Sequence, residues 1–177
     1  MSRGVRLAGG TWRGRRLQVA SGVRPTEGRV REALMSIWQE RLPGARILDL
    51  FTGSGAVGLE ALGRGALSAT LVDRAPASLT AVKSNCRLLE AKDARVLRLD
   101  LPRGLQRLTG PFDLIFADPP YDFGAYTELI EAARRVLAVN GELVVEHEAA
   151  LDPELPVLET RRYGGTVLSF FGAAEPS

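Results

Sequence analysis

The tetrapeptide Asp118-Pro119-Pro120-Tyr121 combines the residue types that would handle a planar amino group on an aromatic ring. Asp118 offers carboxylate oxygens that accept amino hydrogens, and Pro119, lacking an N–H, favours a turn in which carbonyls rather than donors face the ligand. Tyr121 supplies a flat face on which a base can stack. Two successive prolines stiffen the loop and push Asp118 toward an extended conformation. Alone, such a tetrapeptide describes a rigid strand-to-helix turn equally well. Its placement shifts the balance toward function: it follows Phe112–Ala117, an apolar run that reads as a buried strand, and open α/β sheets hold ligands at the carboxyl ends of their strands. Asp118, Pro119 and Tyr121 are therefore the candidate catalytic residues.

A second stretch, Ile47 to Gly58, reads as a strand, a glycine turn and a helix start. Gly53, Gly55 and Gly58 match the dinucleotide fingerprint, and Asp73 ends the next strand about 20 residues later, as a ribose partner would. Asp49 argues against a nicotinamide cofactor, because a carboxylate so near the helix N-terminus is unwelcome to a pyrophosphate. It favours a cofactor that is cationic there. S-adenosylmethionine, with an ammonium and a sulfonium but no phosphate, fits these residues. In that reading Asp49 faces the methionyl amine, directly or through water, and the Gly53–Ser54–Gly55 backbone lies along the methionyl and ribose parts. Asp73 takes the ribose hydroxyls, and Asp100, with Leu101 as its apolar neighbour, accepts from the adenine amino group. Phe51 inside the loop and Asp118 across it complete the expected cofactor contacts.

The elements that must position these groups follow from the pattern. From Arg46 onward, strands alternate with helices: strands at 46–50, 69–72, 95–99, 112–117 and 142–146, and helices at 57–62, 77–89, weakly at 104–108, and at 126–139. Such alternation specifies a mostly parallel sheet covered on both faces. After Asp152-Pro153, two strand-like runs, 157–163 and 166–171, are joined by Gly164-Gly165, a pair that makes a tight antiparallel hairpin. Ahead of the sheet, residues 5–19 read as paired short strands, and a helix opens at Arg24-Pro25-Thr26 with Thr26 as N-cap. In that helix Val30, Ala33, Leu34, Ile37 and Trp38 form an apolar face and Arg29, Arg31 and Glu32 lie off it. Pro43-Gly44 marks a boundary, giving a basic extension over 1–45 and a catalytic domain over 46–177.

Charge separates along the same boundary. Residues 1–46 carry ten arginines against three glutamates, a net +7, while the rest carry 13 basic and 18 acidic side chains, a net −5. A basic front end on an acidic body suits a polyanion held by one end. Trp12, among Arg13, Arg15 and Arg16, is either a nucleotide-stacking platform or the plug that anchors a small hairpin. The 177 residues, 45% of them hydrophobic, suit one compact domain with a modest addition. No apolar run is long enough to cross a membrane and Met1–Arg6 lacks the apolar stretch of a signal peptide, so a cytoplasmic location is expected. Cys86 and His147 are the only residues of their kinds, which leaves no basis for a structural metal.

With these residues in view, the chain resembles the bacterial small-subunit ribosomal RNA methyltransferases that modify the exocyclic N2 of one guanine in 16S rRNA. The matching stretches are Gly9 to Arg15, Arg24-Pro25-Thr26 with Arg29 to Glu32, Asp49 to Gly55 with Gly58 to Ala61, and Asp118 to Tyr121. The resemblance implies a Rossmann-like class I S-adenosylmethionine-dependent methyltransferase fold, an α/β seven-stranded sheet of order 3-2-1-4-5-7-6 with one antiparallel strand. It also implies 16S rRNA met within the small ribosomal subunit or its assembly intermediate, by a protein expected to be a monomer. Arg13, Arg15, Arg16, Arg24, Thr26, Arg29 and Tyr121 are the residues expected on the RNA. The alternatives are an adenine-N6 methyltransferase on DNA or RNA, since the same acceptors suit any aromatic amine, and a non-catalytic RNA-binding assembly factor. His147 is given no role.

Overall fold

In the computed structural model, which describes residues 4–176, strands and helices alternate as β1 (Val5–Arg6), β2 (Arg16–Leu17), α1 (Gly28–Ile37), β3 (Arg46–Leu50), α2 (Ala56–Gly63), β4 (Ser68–Asp73), α3 (Pro76–Leu89) and β5 (Ala94–Arg98). A 3₁₀ turn (Arg103–Arg107) then leads to β6 (Phe112–Ala117), α4 (Tyr126–Arg135), β7 (Leu137–His147), β8 (Glu159–Tyr163) and β9 (Thr166–Phe171). The start of the chain, read above for its lack of an apolar stretch, lies in part outside the described residues. Among the described residues no helix is long and apolar enough to cross a membrane.

Seven strands form one sheet in the order β5-β4-β3-β6-β7-β9-β8. Numbered from β3, this is 3-2-1-4-5-7-6. All neighbours from β5 to β7 run parallel, and β9 is antiparallel to both β7 and β8. This is the Rossmann-like α/β architecture. The β8–β9 hairpin turns at Gly164-Gly165, with Tyr163 opposite Thr166 and Gly164 at φ +59°, a conformation that favours glycine.

Strand alternation divides the core into two layers. Ile47, Leu114, Phe116, Val144, Leu168 and Phe170 face one way, toward α1, α2 and α3. Leu48, Leu50, Ile115, Ala117, Leu143 and Val145 face the other, toward α4 and the 3₁₀ turn. Leu7 and Leu17 of the β1–β2 hairpin, Val30, Leu34 and Met35 of α1 and Trp38 at its end belong to the first layer, so the hairpin and α1 share a core with the sheet.

Three local expectations are corrected. Thr26 is not the N-cap of α1: Glu27 holds that place without a side-chain cap bond, and the Thr26 hydroxyl donates instead to Asp118 Oδ2 at 2.9 Å. Arg31, read as lying off the apolar face of the helix, is nonetheless buried, its guanidinium against Glu60 of α2 at 2.7 Å. The fourth helix ends at Arg135 rather than at residue 139, and β7 starts at Leu137, well before residue 142. Val139 is 90% exposed, on a stretch where the β6–β7 register shifts between Phe112 opposite Leu137 and Leu114 opposite Glu142.

Candidate functional site

The site is assembled at the carboxyl ends of β3, β4, β6 and β7. Beyond β3, Phe51 takes φ +58°, rare for a non-glycine, and Gly53 and Gly55 take φ +58° and +85° before α2 begins. Gly58 lies so close to the sheet that a Cβ there would stand 2.2 Å from Leu71 Cδ2 and 3.3 Å from Asp49. The fingerprint glycines therefore serve a turn and a close helix–strand approach, as their spacing predicts.

Asp49 is buried on the first-layer face of β3. Its Oδ2 accepts from the Thr52 hydroxyl at 2.6 Å and from Gly58 N at 3.0 Å, so one oxygen occupies the N-terminus of α2. Burial pushes its pKa up to about 7, against the pull of those two bonds, with smaller contributions from the charges of Asp118 and Asp73. Asp73 ends β4 and staples the loop: Oδ2 accepts from Gly53 N at 2.9 Å, and Oδ1 from Arg74 N at 2.8 Å and Ala75 N at 3.0 Å. Asp100 is solvent-exposed beyond β5, 3.7 Å from Arg74, with Leu101 packed at the edge of the second layer. It lines an open cleft of about 710 Å³ with Arg74, Arg98, Arg103 and Arg107.

Asp118 follows the last residue of β6 and is held by Thr26 from the segment before α1. Burial raises its pKa to about 6, the Thr26 bond and Arg24 opposing and Glu148 reinforcing the shift. Pro119 is buried, and Tyr121 is 88% exposed, its ring open to solvent. An aromatic row borders the site, with Phe51–Phe123 and Phe123–Tyr126 edge-on at 5.3 Å and Tyr126–His147 at 6.3 Å. His147 itself is structural: Nδ1 meets Ala149 O and Nε2 meets Ser169 Oγ, both at 2.7 Å.

The N-terminal extension is tied to this site from two sides. Asn85 of α3 bonds the backbone N and O of Gln18 at 2.8 and 2.9 Å and donates to Ser54 O at 2.8 Å, linking the extension to the glycine loop. Glu60, fully buried in α2, accepts from Ala8 N at 3.2 Å, Arg31 Nε at 2.7 Å and Arg64 Nη2 at 3.0 Å, while Arg31 also reaches Arg6 O at 2.8 Å. Trp12 is half-buried, its ring against Gly63, and so plugs the hairpin onto α2. Arg13, Arg15, Arg16, Arg24 and Arg29 are exposed; Arg15 reaches Leu88 O at 3.0 Å, Arg24 reaches Glu27 at 3.4 Å, and Arg29 lies over the Gly164 turn. Sequence reasoning assigned no role to Asn85 or Glu60, although a polar residue on the apolar face of α3 and a lone acid in an apolar helix are visible signals.

A family described as "Conserved hypothetical protein 95" matches residues 5–172. The Ribosomal RNA small subunit methyltransferase D of Escherichia coli is 37% identical over 160 residues, covering 87% of this chain and 79% of its own length. The protein of the same name from Haemophilus influenzae is 35% identical over 146 residues, covering 78% and 73%. A solved structure of a hypothetical protein from Thermus thermophilus superposes with a TM-score of 0.83 at 34% identity over 96% of this chain and 99% of that one. With a glycine loop on β3, a carboxylate-proline turn on β6, a family model matching residues 5–172 and these relatives over most of its length, the chain belongs to the Conserved hypothetical protein 95 family and is similar to the ribosomal RNA small subunit methyltransferase D proteins.

Proposed function

We propose that this protein transfers the methyl group of S-adenosylmethionine to the exocyclic N2 of a guanine in 16S rRNA of the small ribosomal subunit. The observation that carries the reading is Asp118, a half-enclosed carboxylate at the end of β6 beside the glycine loop, with one oxygen held by Thr26. The names of the relatives support the RNA, and the donor set supports the cofactor. Asp49 and Gly58 N already satisfy each other at the helix N-terminus, which leaves that end ill-suited to a phosphate and provides an acid for an ammonium. Asp49, Asp73 and the Gly53–Gly55 backbone would hold the cofactor, with Phe51, Ser54, Asp100 and Leu101 around it.

Bound there, the cofactor supplies a methyl group on a positively charged sulfur. The guanine N2 lone pair is delocalised into the ring, so the chain must favour its pyramidal form. Asp118 and the Pro119 carbonyl accept the N2 hydrogens and aim the lone pair, an orientation and electrostatic contribution. The proton shed after transfer passes to Asp118 or to water; a carboxylate with a pKa of about 6 is a suitable acceptor. The base leaves its stack to reach this position, and the exposed Tyr121 ring gives it a new one. Arg13, Arg15, Arg16, Arg24 and Arg29 hold the RNA backbone, with Thr26 fixing Asp118 from the same segment.

The test is methyl transfer to unmodified small subunits, followed by mass mapping of the nucleotides. Wild-type protein should yield N2-methylguanine, and Asp118→Ala should abolish transfer with cofactor affinity nearly intact. A methyl group on adenine N6, or an Asp118→Ala protein of near-normal turnover, overturns the proposal.

A further inference from the structure

Glu146 lies one residue past Val145 on β7, as Asp118 lies one residue past Ala117 on β6, and Ala117 and Val145 are register partners on parallel strands. Neighbouring strands stand about 4.8 Å apart, so the two acids emerge side by side. By strand alternation Glu146 shares the face of Val144, the layer that α1 covers. Each acid is fixed by a threonine. Thr26 donates to Asp118 Oδ2 at 2.9 Å, and Thr166 of β9 donates to Glu146 Oε1 at 3.1 Å. The second oxygen of Glu146, Oε2, is closed to solvent and has no hydrogen-bond partner among the described residues.

A buried acceptor without a donor weakens a fold, and functional sites are where folds keep such groups. Burial and the charge of Asp118 push Glu146 up to about 7, with Glu27 and Glu148 adding to the effect. In its ionised form the acid is thus held at a cost to the apo fold, which the bond from Thr166 opposes.

We infer that Glu146 is a specificity-determining residue that accepts the N1–H of the target guanine while Asp118 accepts from its N2 amine. Guanine presents these two donors next to each other on its Watson–Crick edge. Adenine presents an amine beside an N1 that is itself an acceptor, so its edge would set a lone pair against Glu146. A site that leaves a buried acceptor unpaired with the wrong base rejects that base. The inference rests on the guanine-N2 reading above and names how that site chooses its base.

The experiment first locates the modified guanine with wild-type protein and unmodified small subunits, then compares subunits carrying guanine or 2-aminopurine at that position. 2-Aminopurine keeps the N2 amine and lacks the N1–H. Wild-type protein is expected to methylate guanine at least about tenfold faster, the loss expected for one charge-assisted hydrogen bond. Glu146→Ala should slow guanine by a similar factor, leave 2-aminopurine as fast or faster, bind the cofactor as the wild type does, and melt at a higher temperature. Glu146→Gln, which keeps a carbonyl oxygen of the same reach, should recover part of the guanine rate. A Glu146→Ala protein that slows both bases alike, slows neither, or melts lower than wild type overturns the inference. A wild-type product other than N2-methylguanine overturns the reading beneath it.

Discussion

Replacing Asp49 with asparagine tests the cofactor loop through two linked properties. The Asp49 pKa rises from 3.8 to about 7 in the fold, roughly three units at about 1.4 kcal/mol each, or on the order of 4 kcal/mol. Because the folded-state value lies above the unfolded one, the associated stability is fully present below pH 4 or so and is lost as pH rises through about 7. The apo wild type should therefore be less stable at pH 8 than at pH 5, and Asp49→Asn should remove the Asp49 share of that loss, about 3 kcal/mol, leaving the shares of Asp118 and Glu146. Asparagine still offers an oxygen to Thr52 Oγ1 and Gly58 N, so the loop keeps its two bonds.

Cofactor binding should move the opposite way. An ammonium selects the ionised carboxylate, whose fraction climbs from about a tenth at pH 6 to about nine tenths at pH 8 for a pKa of about 7. Wild-type affinity for S-adenosylmethionine should tighten about tenfold over that range. Asp49→Asn should bind more weakly at pH 8 by about 1.5–3 kcal/mol, the worth of a hydrogen bond to a charged group, and should lose the tenfold slope that Asp49 contributes. Asp118 and Glu146 also titrate in this window but are present in both proteins, so the difference isolates Asp49. Titration calorimetry at three pH values, with thermal melts of the apo proteins, reads both effects. A wild-type Kd that is flat from pH 6 to 8, or a slope that Asp49→Asn leaves undiminished, refutes the assignment.

Other expectations are independent of that one. Glu60→Ala leaves Arg31 buried without its partner and should cost about 3–5 kcal/mol, measured by denaturant unfolding. Gly58→Ala drives a Cβ into Leu71 and should destabilise by about 1–3 kcal/mol and weaken cofactor binding, read by melting and titration. Neutralising Arg13, Arg15 and Arg16 together should reduce the salt slope of RNA affinity by about 2, at about 0.7 per contact for single strands, in a filter-binding series at graded salt. An unchanged slope removes those arginines from the interface.

The parallel sheet was legible in the alternation of strands and helices, while its strand order came from the family resemblance. Each βα unit from Arg46 to Ala117 shows a buried strand, a turn and an amphipathic or apolar helix, and right-handed crossovers leave few ways to thread them. Where local pattern and tertiary contact disagreed, the pattern lost. Leu137 continues the helical spacing of Leu129, Ile130 and Ala133, yet it pairs with Phe112 and draws the chain into β7. Arg31 lies off the apolar face of α1 by periodicity alone, but Glu60 supplies a buried partner 29 residues away that no local window contains. Thr26 has the composition of an N-cap, and a carboxylate 92 residues away claims its hydroxyl.

The same limit explains which parts of the candidate site were visible. Asp49, Asp118 and the fingerprint glycines stand next to strand ends and turns, so their places follow from neighbours in sequence. Glu146 does not announce itself in that way: it follows Leu143-Val144-Val145 as one more polar residue at a strand end. Its meaning comes from the pairing of β7 with β6 on one side, which sets it beside Asp118, and with β9 on the other, which brings Thr166 to its Oε1. An acid confined between two strands, with one oxygen bonded and the other without a donor, is a feature of the sheet's register. A register slip of one residue would turn it to the opposite face, so the choice of base is written into strand pairing rather than into any motif.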